Sequence, residues 1–259
     1  MKNKIAVCIS GELRYYNHPY VIDGYNKFIQ TLNPDVFISV WDHIGESMNH
    51  GYIDPGSIKE KNDNILHDIN KIYKNIVSLE IENYNDWFNM LSIKEKTYYT
   101  DNRFNNRTIN SYTQLYKIYR ANLLKQQHEQ YLNTNYDIVI RMRPDNLFIS
   151  SIDTNIEPET IYNINLLNTF YPRRIYDIFF YGDSKSMDTV CNSYTEFEYL
   201  LNNPFGNGLC QRDACRLLYL QAGLNSIVVE STKHRMCDVY RGMPYEEYMN
   251  WMHSWGGIL

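Results

Sequence analysis

Ile5-Ala-Val-Cys-Ile9 is an unbroken apolar run, closed by Ser10-Gly11. Five apolar residues without polar alternation read as a strand buried on both faces, hence a central strand of a parallel sheet. Pro19 then opens a stretch, 19–32, in which Val21, Ile22, Tyr25, Phe28, Ile29 and Leu32 recur at helical spacing. Asn33-Pro34 ends it, and Asp35-Val-Phe-Ile-Ser-Val-Trp41 is the next strand. Strand, helix, strand is a βαβ unit, whose crossover is expected to be right-handed.

Further along, the pattern loosens and then returns. Residues 43–107 are rich in turn signals, with a short helix expected over 64–75, a strand over 76–82 and a short helix over 85–92. The polar stretch 94–107 reads as a loop. Over 108–132 the period is helical, with Ile109, Tyr112, Tyr116, Tyr119 and Leu123 on one face and polar residues opposite. Tyr136-Asp-Ile-Val-Ile140 is another buried strand, leading into Arg141-Met-Arg-Pro-Asp145. Leu147–Ser151 and Thr160–Asn165 are weaker strand candidates. Asp177-Ile-Phe-Phe-Tyr181 is a strand ending at Gly182-Asp183-Ser184, where Ser184 is the expected N-cap of a helix. A further helix is expected over 209–222, with Gly223 as terminator, then a last core strand, Ile227–Glu230, and an aromatic tail over 240–259. Strands alternating with helices predict an α/β fold, a Rossmann-like and mostly parallel sheet flanked by helices.

Composition narrows the function. The chain has 259 residues, 44% hydrophobic and 21% charged, with net charge −5. This is globular composition, and too acidic for a protein that grips nucleic acid backbone. No segment approaches the roughly 20 apolar residues of a membrane span. The N-terminus is too short in apolar run and too polar for a signal peptide, so a cytosolic protein is expected, in the host cytoplasm if viral. The five cysteines are scattered and odd in number, which is no disulfide framework, and they read as small buried residues. The seven histidines contain no HxxxH pair. The 24 tyrosines are taken mainly as a signature of an AT-rich genome rather than as sugar-stacking platforms.

In parallel sheets, ligands bind beyond the carboxyl ends of the strands. That rule selects Ser10 to Arg14, Trp41-Asp42, Arg141 to Asn146, Gly182-Asp183 and Glu230 to Arg235. Arg141, Arg143 and Asp145 alternate onto one side of the chain. Either Asp145 holds a divalent metal or a sugar hydroxyl while an arginine meets phosphate, or the residues pair with each other and finish the sheet edge. In Ser10-Gly11-Glu12-Leu13-Arg14, glycine admits close backbone approach and Arg14 suits a phosphate; the alternative is a tight turn with a surface arginine. The GxGxxG and GxxxxGK[ST] fingerprints are absent, which argues against a dinucleotide or P-loop enzyme, and GxSxG, HExxH and EF-hand patterns are absent too. Asp177 is a candidate acceptor-side base or an edge ion pair. His234 is a candidate metal or phosphate contact or a surface histidine, and Trp41 is expected in the core.

Four segments, Cys8-Ile-Ser-Gly-Glu-Leu-Arg14, Asp35-Val-Phe-Ile-Ser-Val-Trp41, Tyr136-Asp-Ile-Val-Ile-Arg-Met-Arg-Pro-Asp145 and Asp177-Ile-Phe-Phe-Tyr-Gly182, carry a resemblance. The chain resembles the small GT-A-type glycosyltransferase-like proteins of large DNA viruses and bacterial surface-polysaccharide clusters. The resemblance implies a single GT-A-like domain over 1–259, with a nucleotide-binding half over 1–145 and an acceptor-binding half over 146–259. It implies a nucleotide-sugar donor, a glycan acceptor and a divalent cation, Mn²⁺ or Mg²⁺. The family's Asp-x-Asp pair would fall on Arg143 and Asp145, so one carboxylate is missing. Either Asp145 holds the metal with diphosphate and water, or Arg143 replaces part of its charge.

The resulting expectation is a glycosyltransferase acting on a hydroxyl. Ser10, Gly11, Arg14, Arg141, Arg143, Asp145 and Asn146 would bind the nucleotide-sugar, Asp145 would bind the metal, and Asp177 or, second, Glu230 would act as base. The competing expectation is a non-catalytic carbohydrate- or nucleotide-binding protein on the same scaffold.

Overall fold

The computed structural model describes residues 3–44, 63–93, 95–96, 107–164, 175–202, 214–231, 237–239 and 246. The βαβ unit forms as read: β1 (Ile5–Leu13), α1 (Pro19–Phe28) and β2 (Asp35–Ile44). His18 caps α1, its ring accepting from the Tyr20 amide, and Pro19 takes the first turn, where its missing N–H costs nothing. Asn33 adopts φ 54°, a left-handed turn that sends the chain into β2. Then follow α2 (Ile65–Ile72), β3 (Ile76–Glu82), α3 (Tyr84–Met90), the long α4 (Arg107–Leu132) and β4 (Ile138–Met142). The second half supplies β5 (Asn146–Phe148), β6 (Thr160–Asn163), β7 (Phe179–Gly182), α5 (Ser184–Cys191), α6 (Phe197–Asn202), α7 (Ala214–Leu224), β8 (Val228–Ser231) and β9 (Cys237–Val239).

Seven strands form one sheet in the order β3-β2-β1-β4-β7-β6-β8. The pairs β1–β2, β1–β4, β2–β3 and β6–β8 are parallel, while β7 runs antiparallel to both neighbours. The sheet is therefore mostly parallel, an α/β sandwich with a core on each face. One core joins Val7, Ile9, Val36, Ile38 and Ile140 to residues of α1 and α2. The other joins Ala6, Cys8, Phe37 and Phe180 to α4, α5 and α7.

Several expectations are corrected. The candidate strand Leu147–Ser151 is only β5, outside the main sheet and paired antiparallel with β9, which periodicity did not reveal. The expected core strand Ile227–Glu230 is the edge strand β8, with Val228 54% exposed. Asp183, not Ser184, caps α5, its carboxylate accepting from the Ser186 amide at 3.0 Å. Gly223 does not end α7. The helix closes through Ile227 N to Ala222 O and Ser226 N to Gly223 O, with Ser226 at φ 59°. Apart from residue 246, the aromatic tail lies outside the described residues, as does the segment 97–106.

On α4 the buried stripe is Tyr112, Leu115, Ile118 and Ala121, and it also carries Lys117, Lys125 and Glu129. Each buried charge is paired. Lys125 Nζ donates to Glu129 and Asp188 carboxylates at 2.8 and 2.6 Å, and Lys117 Nζ to Glu82 at 2.6 Å. Glu129 also accepts from the Tyr136 amide and from Ser184, tying α4 and α5 to the amino end of β4.

Candidate functional site

The chain leaves β1 toward β2 and β3 on one side and returns as β4 on the other. The carboxyl ends of β1 and β4 therefore flank the topological switch point, where open α/β sheets form their ligand crevice. Ser10 to Arg14 and Arg141 to Asn146 are the residues at those ends. At Gly11 the backbone takes φ +122°, a region closed to side chains, and the β1–β2 register shifts between Gly11 and Leu13. A Cβ there would meet no atom within 4 Å, so the glycine serves the backbone conformation and not a tight contact.

Arg141 lies wholly inside, on the face covered by α4 and α5. Its Nε donates to Ser10 Oγ at 3.2 Å and its Nη2 to Ser10 O at 3.5 Å, while Nη1 has no hydrogen-bond partner. Burial lowers its pKa to about 10, helped by the positive charge of Arg143 and opposed by Asp177 and Asp145.

Arg143 and Asp145 form a forked pair: Nε to Oδ1 and Nη2 to Oδ2, both 2.8 Å. Asp145 is fully buried and Arg143 keeps 17% of its side chain exposed. Burial pulls the Arg143 pKa down, but the charge and hydrogen bonds of Asp145, with Asp177 and Glu12 nearby, hold it above its ordinary value. Asn146 Oδ1 accepts from the Arg143 amide at 3.0 Å and so fixes the turn.

A parallel pair ends β1. Arg14 donates to Glu12 Oε2 from Nη2 at 2.6 Å and from Nε at 2.9 Å, with about a fifth of each side chain exposed. The other Glu12 oxygen lies 3.9 Å from His43 Nε2 at the end of β2, and that buried nitrogen has no hydrogen-bond partner. His43 Nδ1 is 3.8 Å from Asp42, whose other oxygen accepts from Asn83.

Because β7 is antiparallel, its amino end, not its carboxyl end, reaches this site. Asp177 precedes β7 and stands beside Arg143. Its carboxylate accepts from Gln114 Nε2 and from Cys215 Sγ at 2.8 Å. Burial raises its pKa, but Arg143, the Cys215 hydrogen bond, Arg141 and Gln114 together hold it below the usual carboxylate range. Gly182-Asp183, selected by the strand-end rule, sits at the opposite end of the sheet.

The predicted residues thus divide. Ser10, Arg141, Asp145 and Asn146 are fully buried and form the floor of the site. Arg14, Arg143 and Asp177 keep some exposure beside it. Glu230 is not brought in: it is exposed on β8, with β7 and β6 between it and β4, and it contributes only its carbonyl, to Asn163. Glu12 falls within the selected stretch Ser10 to Arg14 but is given no role there, and sequence reasoning did not single out His43, Gln114, Cys215 or the Lys117–Glu82 pair. Glu12 and His43 were within reach, since both end parallel strands. Gln114, Cys215 and Lys117 come from helices, whose distance from the site no local pattern encodes. Trp41 is core as expected, 1% exposed and stacked with Tyr116. His234 and Arg235 lie outside the described residues.

Each oxygen of Asp145 already accepts a hydrogen bond from Arg143. Among the described residues no three His, Cys, Asp or Glu side chains converge as metal ligands. The Asp145 carboxylate is committed to Arg143, so a divalent cation there would have to draw its remaining oxygen ligands from a diphosphate and water. Among the described residues, no helix is long and apolar enough to cross a membrane. No protein-family model matches the chain, and no curated protein matches it.

Proposed function

We propose that the protein is a GT-A-type glycosyltransferase that moves a sugar from a nucleoside-diphosphate donor to a glycan hydroxyl. The observation that carries this reading is the placement of Arg141 and Arg143 at the end of β4 and of Arg14 at the end of β1, with Glu12, the partner of Arg14, near enough to act on the charge of Arg143. Departure of a diphosphate develops charge on its leaving oxygens, and fixed positive groups in a partly dry site offset that charge. Arg14 and Arg143 keep the exposure needed to touch the diphosphate, and Arg141 adds its field from beneath. Asp177, beside Arg143, is the acceptor-side residue in preference to Glu230.

One observation favours the rival reading, binding without turnover. Both oxygens of Asp177 are hydrogen-bonded and its pKa is held low, whereas an efficient general base titrates near the working pH.

Thermal unfolding with UDP, GDP, CMP and dTDP tests the donor assignment. A nucleotide at about 100 times its dissociation constant adds roughly 2.7 kcal/mol. Stabilisation by one nucleoside diphosphate supports the reading, and no response to any overturns it. Asp177→Asn then separates the two readings. Loss of sugar release from the donor with nucleotide binding retained supports a transferase. Sugar release absent already in the wild type, with binding intact, supports the binding protein.

A further inference from the structure

Glu12 stands between Arg14 and His43. It is clamped to Arg14 at 2.6 and 2.9 Å, and its second oxygen faces His43 Nε2 at 3.9 Å, just beyond hydrogen-bonding distance. That nitrogen is buried and has no hydrogen-bond partner, a costly arrangement unless something satisfies it in another state. We infer that Glu12 is a displaceable counter-ion: an incoming diphosphate takes Arg14 from it, and its carboxylate turns to accept from His43 Nε2–H. The ligand class rests on the function proposed above, but the latch itself requires only an anion at Arg14.

The two ion pairs of the site differ in the way this exchange needs. Asp145 is fully buried and held by the turn at Asn146, so the Arg143–Asp145 pair is fixed. Glu12 and Arg14 are each about one-fifth exposed, so anion and water can reach them. Exchange leaves the number of charged contacts of Arg14 unchanged, replacing a carboxylate by a phosphate oxygen. It also satisfies His43, which the present arrangement does not. Arg14 then meets the phosphate directly, and binding needs no divalent cation.

The sign of one substitution decides between this role and the obvious alternative, in which Glu12 helps hold a metal. Calorimetric titration of the full chain with inorganic pyrophosphate and with UDP, in EDTA and in Mn²⁺, is the experiment. Glu12→Gln is expected to tighten both ligands several-fold, and Arg14→Gln to weaken them about ten-fold or more. His43→Phe removes the resting place of Glu12 and is expected to weaken binding in the Glu12 background but not in Glu12→Gln. His43→Gln, which keeps a donor, guards against a packing defect and is expected to retain most of the affinity. Weaker binding by Glu12→Gln, or binding that requires Mn²⁺, overturns the latch while leaving the nucleotide reading standing. Pyrophosphate binding that follows the expected pattern without any UDP binding overturns the nucleotide reading alone. Failure of the wild type to bind either ligand overturns both.

Discussion

Arg143 and Asp145 face each other across one proline, joined by two parallel hydrogen bonds of 2.8 Å. The carboxylate has no exposed surface, so the pair is part of the sheet's finish as well as part of the site. Removing one partner of such a pair leaves an uncompensated charge. Asp145→Asn is therefore expected to cost about 3 kcal/mol of stability, somewhat less if Asp177 and Glu12 compensate. The double variant Arg143→Gln/Asp145→Asn should recover part of the loss. Urea unfolding of the three proteins measures it, and an unchanged midpoint in Asp145→Asn contradicts a structural role for the pair.

Lys117 is fully buried, donating to Glu82 and lying 4.0 Å from the Trp41 ring centre. Burial lowers its pKa from 10.5 to about 8 despite the pull of Glu82. Between those values the unfolded chain binds the extra proton, so this group's contribution to stability rises with pH. Tyrosines such as Tyr84, raised by burial to about 12, act oppositely once the unfolded chain ionises near 10. Comparison with Lys117→Met isolates the lysine. From about pH 7 to pH 9.5 the urea midpoint of the wild type should gain on that of the variant. A gap independent of pH rules this out.

At Gly11, φ +122° is strained for any side chain, yet the added methyl would touch nothing. Gly11→Ala is expected to lose roughly 1–3 kcal/mol through backbone strain alone. Gly11→Ser should lose a similar amount, since the cost does not depend on side-chain size. A much larger loss for serine would show that space, not conformation, selects glycine.

The two ends of β7 should respond differently. Asp183 caps α5 and also accepts from the Glu159 amide, far from the switch point. Asp183→Ala is expected to lower stability by about 1–2 kcal/mol and leave the nucleotide response unchanged. Asp177→Asn is expected to abolish sugar release from the donor while nucleotide binding is retained. A nucleotide response lost in Asp183→Ala would undo the division of the sheet into a working end and a structural end.

The first βαβ unit was readable because unbroken apolar runs and a proline-led helix are local signals. The ends of β1 and β4 followed from the same runs. Strand direction was not local: nothing in Phe179–Tyr181 says that β7 runs backwards, and the strand-end rule therefore selected Gly182-Asp183 when Asp177 was the residue at the working end. The buried face of α4 was misread because Lys117, Lys125 and Glu129 look like solvent residues until their partners in β3 and α5 are known. Whether Asp145 pairs with Arg143 or remains available was left open by the sequence, since alternation sets sides and not contacts.

The hydrogen bond from Arg141 to Ser10 spans 131 residues. β1 gains its β2 neighbour early in synthesis, yet its other edge stays unpaired until β4 has been made. During that interval the apolar strand Ile5–Ile9 presents an open row of backbone donors and acceptors, a template for stray pairing. Closing so long a loop is slow, and the candidate site has no existence before it closes. Truncated chains that end before Ile138 should therefore be sticky rather than merely inactive, and chaperone demand during synthesis should fall once β4 emerges.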